Sequence, residues 1–144
     1  MKPHYLAGAC SLRAMKRLKR CTALLICACG TVAAQPPPEV APLFAKELAD
    51  LPGKEAVMLS VVYPPGAVEH AHRHHAHAFV YVLEGSLVMQ VKGGPEVTLV
   101  PGQTFYEGPN DVHTLGRNAS ATQPAKFVVV LVKDKGAAPV LPVE

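Results

Sequence analysis

Residues 66–85 read Gly-Ala-Val-Glu-His-Ala-His-Arg-His-His-Ala-His-Ala-Phe-Val-Tyr-Val-Leu-Glu-Gly and hold five of the seven histidines of the 144-residue chain. Neutral imidazole is the commonest protein ligand for first-row transition metals. Alternate residues of an extended strand share a face, which puts His70, His72 and His74 on one side and Glu69 and Arg73 on the other. Two histidines two apart can therefore chelate one ion from one strand, and a third ligand must come from elsewhere in the fold. Outside this run and His4, His113 is the one histidine left. The competing reading is a solvated histidine-rich loop. Against it stand the β-rich run His77–Leu83 directly after the cluster and the Gly/Pro-punctuated setting of His113.

Working outward, short apolar runs alternate with turn signals. Ala56–Tyr63 is β-branched and stops at Pro64-Pro65-Gly66, and Glu84-Gly85-Ser86 leads from His77–Leu83 into Leu87–Val91. Lys92-Gly93-Gly94-Pro95 reads as a hairpin turn into Val97–Val100, and Pro101-Gly102 precedes Thr104–Tyr106. Gly108-Pro109-Asn110-Asp111 introduces Val112–Leu115, and Ala125–Val132 is a nearly all-apolar strand. With about eight short strands and no helical pattern after residue 50, the chain is expected to be an all-β sandwich or barrel.

Upstream the composition changes. Residues 15–34 place a basic stretch before an uncharged, mostly apolar run ending in Val32-Ala33-Ala34. This is the form of a secretory signal peptide, expected over 1–34, with Met15 the better-proportioned start. The run is short for a membrane span. All four cysteines precede residue 35, so the remainder has no thiol chemistry. From Gln35 onward there are eight Lys/Arg and eleven Asp/Glu, a net charge of 8 − 11 = −3, which disfavours nucleic acid as a partner. The expected organisation is a signal peptide at 1–34, a Pro-rich linker at 35–42, a barrel at 43–136 and a loose tail at 137–144. Leu43–Ala49 is ambiguous between a helical turn and an edge strand. The expected location is periplasmic or secreted, with no membrane association after signal removal.

Gly66, five residues on His72-Arg73-His74, and then Gly85 resemble the first motif of the cupin family, Gly-x5-His-x-His-x3–4-Glu-x6-Gly. Gly102 followed by Gly108-Pro109-Asn110-Asp111-Val112-His113 resembles the second, Gly-x5-Pro-x-Gly-x2-His-x3-Asn. The resemblance covers about residues 55–132. It implies a double-stranded β-helix (a jelly-roll barrel) with His72, His74 and His113 as ligands of one divalent ion (Fe, Mn, Ni, Cu or Zn). Two departures stand out. Ala78 occupies the position of the motif glutamate, and Asn118 lies one residue later than the pattern expects. His77, next to the vacancy, is the first substitute, provided a bulge at 75–77 turns it inward. Metal loss is expected below about pH 6, where imidazole is protonated.

Tyr81, Tyr106, Glu107 and Gln90 are weaker candidates for chemistry, with ordinary strand or loop roles favoured; Met58 and Met89 read as core. The function expected is an exported, metal-dependent enzyme on a small molecule, of dioxygenase-type oxidoreductase chemistry. The alternatives are a lyase or isomerase, and a non-catalytic metal- or ligand-binding module. A homodimer is also expected.

Overall fold

The computed structural model describes residues 36–143, so the signal peptide expected over 1–34 lies outside the described residues. Every element in them is a strand: β1 (Glu39–Glu47), β2 (Lys54–Tyr63), β3 (Val68–Glu69), β4 (His72–Arg73), β5 (Ala76–Glu84), β6 (Leu87–Val91), β7 (Val97–Leu99), β8 (Thr104–Glu107), β9 (His113–Asn118), β10 (Ala125–Asp134) and β11 (Leu141–Pro142). They form two antiparallel sheets. The first runs β1-β2-β10-β5-β8; the second runs β11-β4-β9-β6-β7, with β3 also paired to β9.

Alternation explains the packing. On β5, Ala76, Ala78, Val80 and Val82 are buried while His77, Phe79, Tyr81 and Leu83 are exposed. β10 likewise buries Phe127, Val129 and Leu131 between the sheets. Leu87 and Met89 enter from the second sheet, and Tyr63 packs edge-on to Phe127 with ring centroids 5.0 Å apart. Each large side chain so enclosed contributes about 1.5–3 kcal/mol relative to exposure. Gly85 shows why the first motif ends on glycine. It has φ +70, and a Cβ there would lie 2.5 Å from the Pro124 carbonyl oxygen, so both backbone conformation and space demand its absence.

Two expected boundaries need correction. The Pro-rich linker placed at 35–42 ends early, because β1 begins at Glu39 and pairs with β2 from Glu39↔Val62 to Glu47↔Glu55. Pro42 is tolerated because β1 is an edge strand and its register shifts between Pro42 and Phe44, a bulge that needs no ladder N–H there. The tail expected from 137 is also ordered in part: Leu141 and Pro142 pair with Arg73 and His72.

Candidate metal centre

His72 and His113 sit directly opposite each other where β4 pairs with β9. His74 follows β4, and His75, at φ 46, makes the left-handed turn that leads into β5. That turn leaves His74 and Ala76 buried and His75 exposed. His72, His74 and His113 are 4%, 9% and 3% exposed, against the exposed His70 and His77. His70 therefore does not share the face of His72 and His74, because β4 is only two residues long and strict alternation starts late.

Backbone carbonyls fix two of the rings. His72 Nδ1–H donates to the His70 carbonyl at 2.9 Å, and His74 Nδ1–H donates to the Pro139 carbonyl at 2.6 Å. A carbonyl only accepts, so in neutral imidazole each Nε2 is left with a bare lone pair. These two Nε2 atoms lie 3.2 Å apart, and His113 Nδ1 is 3.4 Å from His72 Nε2. Two facing lone pairs at that distance repel unless a cation lies between them.

A fourth group completes the cluster. Glu107, 3% exposed at the end of β8, brings Oε2 to 3.6 Å from His74 Nε2 and 3.8 Å from His113 Nδ1. Glu107 Oε2 and His113 Nε2 are buried without a hydrogen-bond partner. His72, His74 and Glu107 present ligand atoms within 4.8 Å of one another, as do Glu69, His72 and His113. The unpartnered Glu107 Oε2 and the bare Nε2 atoms of His72 and His74 converge, and such an acceptor set suits a divalent ion.

Burial holds the His113 imidazole neutral, down to about 4, helped by the neighbouring His72 and His74, and lowers His74 for the same first reason. Burial, reinforced by Glu69 and Asp111, pushes the Glu107 carboxyl up to about 7. Without a cation, the pocket resists charge of either sign.

The expectation that His77 substitutes for the missing glutamate is overturned. No bulge turns it inward: it stays on the outer face of β5, exposed, with Nδ1 2.7 Å from the Tyr106 hydroxyl. Instead, the register pairs Ala78 with Glu107 across β5 and β8, so the carboxylate stands opposite the vacancy on the adjacent strand. The solvated-loop reading of Glu107 is corrected by the same pairing. The in-phase placement of Phe105 and Glu107 was the available signal, and β8 is too short to make it persuasive. Tyr81 and Tyr106 are 48% exposed, and Gln90 donates to the Gly94 carbonyl at 3.0 Å; none of the three lines the cavity.

Sequence reasoning missed a pair on the other flank. Tyr63 hydroxyl donates to Glu69 Oε2, and Glu69 Oε1 is 3.9 Å from His72 Nδ1. Burial, with the adjacent Glu69 carboxylate, raises the Tyr63 phenol well above its usual range, so it remains a donor. Both residues, the three histidines and Glu107 line an interior cavity of about 60 Å³, walled by Leu59, Val61, Val80, Met89 and Val129. Gly116 makes their approach possible. A Cβ there would lie 2.9 Å from His113 Cε1, 3.0 Å from the Tyr63 hydroxyl and 3.3 Å from Glu69 Oε2.

Two antiparallel sheets enclosing a histidine-rich interior cavity define a jelly-roll barrel with a candidate metal site. Residues 59–131 match the cupin domain family, and the chain belongs to it. Among solved structures, it is similar to the DMSP lyase DddQ from Ruegeria pomeroyi, with 26% identity and a TM-score of 0.53 over 60% of this chain and 42% of that one. It also resembles an uncharacterized protein with a double-stranded β-helix domain from Klebsiella pneumoniae, at 18% identity, TM-score 0.59, 77% of this chain and 90% of that one. The polyketide cyclase RemF from Streptomyces resistomycificus is similar at 23% identity and TM-score 0.51, over 62% of this chain and 61% of that one. The chain thus spans less than half of the lyase, and the last two likenesses concern the fold. A search of curated protein sequences found no match.

Proposed function

We propose that this protein is a metal-dependent enzyme that moves a proton on a small molecule, in lyase or isomerase chemistry. His72, His74, His113 and Glu107 are the ligands in this reading. The observation that carries it is the pair of bare Nε2 atoms 3.2 Å apart beside the orphaned Glu107 oxygen. A divalent ion bound there would act as a Lewis acid, polarising a substrate oxygen. Glu69 accepts the substrate proton at its carboxylate, and Tyr63 holds that carboxylate in place through its hydroxyl. Apolar side chains flank the site, and about 60 Å³ admits only a handful of water-sized groups, so the reacting end of the substrate is small.

Dioxygenase-type oxidation is the second reading, favoured by a histidine-rich ligand set with open coordination positions. Both readings begin with metal analysis of the purified protein, where about one ion per chain is expected and His113→Ala should remove most of it. The metal-loaded protein is then incubated in deuterated buffer with small oxygen-bearing acids and ketones under an oxygen electrode. Deuterium incorporation or elimination without oxygen uptake supports the proton-transfer reading. Oxygen uptake supports oxidation, and metal binding with neither points to a non-catalytic module.

We also propose export, with the mature chain starting near Gln35, and pairing with a second copy through the outer face of the first sheet. Phe44, Met58, Val130, Phe79 and Tyr106 form one register row across all five strands of that sheet. Phe44 is 56% exposed and Phe79 and Tyr106 are each 48% exposed, without a charge in the row. Four strands of nine or ten residues and the four-residue β8, at a spacing of about 4.8 Å, give a footprint of roughly 700 Å², close to the ~800 Å² per partner of a stable interface. The row itself carries no charge, so it can meet its own copy without repulsion. β1, exposed along its whole length, also gains cover from such pairing.

A further inference from the structure

The segment after β10 was expected to be a loose tail, yet its contacts run to the histidine site. Its start is anchored where Lys133, 4% exposed, donates from Nζ to the Ala137 carbonyl at 2.7 Å and pairs with Glu55 at 2.5 Å. Its far end is β11, paired with Arg73 and His72. Between these anchors the Pro139 carbonyl accepts from His74 Nδ1, and Val140 joins the cavity wall.

We propose that Pro139 is a positioning residue for the metal site: its carbonyl selects the His74 tautomer that leaves Nε2 free to coordinate. This rests on the metal-site reading above. Neutral imidazole carries one N–H, and among the described residues the Pro139 carbonyl is the hydrogen-bond partner of His74 Nδ1. Without that acceptor the proton moves to Nε2. There it meets His72 Nε2 at 3.2 Å, whose lone pair accepts it. His72 and His74 then satisfy each other, and the site loses both facing lone pairs it would offer a cation. The segment after β10 thus keeps the cluster from sealing itself, and it does so from 65 residues away in sequence. Partners of this kind, which orient a ligating histidine, are typically worth 10–100-fold in metal affinity.

The test uses three variants of the full chain: deletion of 139–144, insertion of two glycines after Gly136, and Pro139→Ala. Histidine ¹⁵N shifts of the metal-free protein report the tautomer, and chelator competition with Zn²⁺ reports affinity. In the parent chain and in Pro139→Ala, which keeps the carbonyl, His74 should be protonated at Nδ1. In the deletion and the insertion the proton should shift to Nε2, with Zn²⁺ affinity falling 10–100-fold while circular dichroism stays β-rich. Should the deletion unfold, the insertion decides, because it retains every side chain. Unchanged tautomer and affinity in a folded variant would overturn the proposal, as would an equal loss in Pro139→Ala. If the parent binds no Zn²⁺ but the tautomer still shifts, the metal reading fails and the positioning role stands.

Discussion

Glu107 is the residue on which the site turns. In the metal-free protein its carboxyl is raised from 4.5 to about 7. Between those values the folded state keeps a proton that the unfolded chain has released, so stability falls as pH rises through that window. Above pH 7 the loss is complete, on the order of 3 kcal/mol. His113 acts in the opposite sense: lowered from 6.5 to about 4, it makes stability fall as pH drops through that range. Glu107→Gln should therefore raise the melting temperature of metal-stripped protein at pH 8 and change little at pH 4.5. It should also weaken metal binding. Because binding needs the carboxylate, parental affinity should fall about tenfold per unit below pH 7, a higher onset than the imidazoles alone suggest. Calorimetric titration across pH 5–8 checks the slope, which Glu107→Gln should flatten. At Gly116, alanine must push apart His113, Tyr63 and Glu69. Gly116→Ala is expected to lower metal affinity at least tenfold and stability by about 1–3 kcal/mol, read by chelator competition and urea melts.

Among the elements, the strands with a strict period of two were legible, and the reason is local. β5 and β10 carry their burial pattern in their own residues, and Gly85 carries its turn. β1 was legible only in part: Leu43–Ala49 read as a helical turn or an edge strand, the prolines at 36–38 and 42 mimic a linker, and the pairing with β2 that settles the strand is revealed only by the register. The inward face of Glu107 depends on cross-strand pairing with Ala78, and the value of Pro139 depends on a contact with His74; no local pattern encodes either. His72, His74 and His113 were legible because fixed spacing within two motifs places them. Asn118, the residue one place off the motif, serves the loop after β9. Its Nδ2 donates to the carbonyls of Tyr63, Pro64 and Gln123, and its Oδ1 accepts from Ser120 N–H, all at 2.8–3.1 Å. It joins the end of β2 to that loop. Asn118→Ala leaves several buried partners unpaired and should cost about 2–4 kcal/mol in urea denaturation.

At the scale of the whole molecule, the outer face of the first sheet should govern assembly. Phe79→Glu places a charge in the apolar row and should convert a dimer to a monomer by sedimentation or light scattering; a monomeric parent would sink the pairing, and a hetero-partner would then be the remaining occupant. The candidate ligands also bridge the two layers. Glu107 comes from the first sheet through β8, whereas His72 and His113 come from the second through β4 and β9. A captured ion would act as a rivet through both layers, and withdrawing it would require them to part. Its exchange should then be slow and should keep time with hydrogen exchange at the β5–β8 and β4–β9 ladders, so that agents loosening the barrel release the ion at a matching rate. The barrel's breathing, rather than the strength of any one bond, would set how long a metal stays.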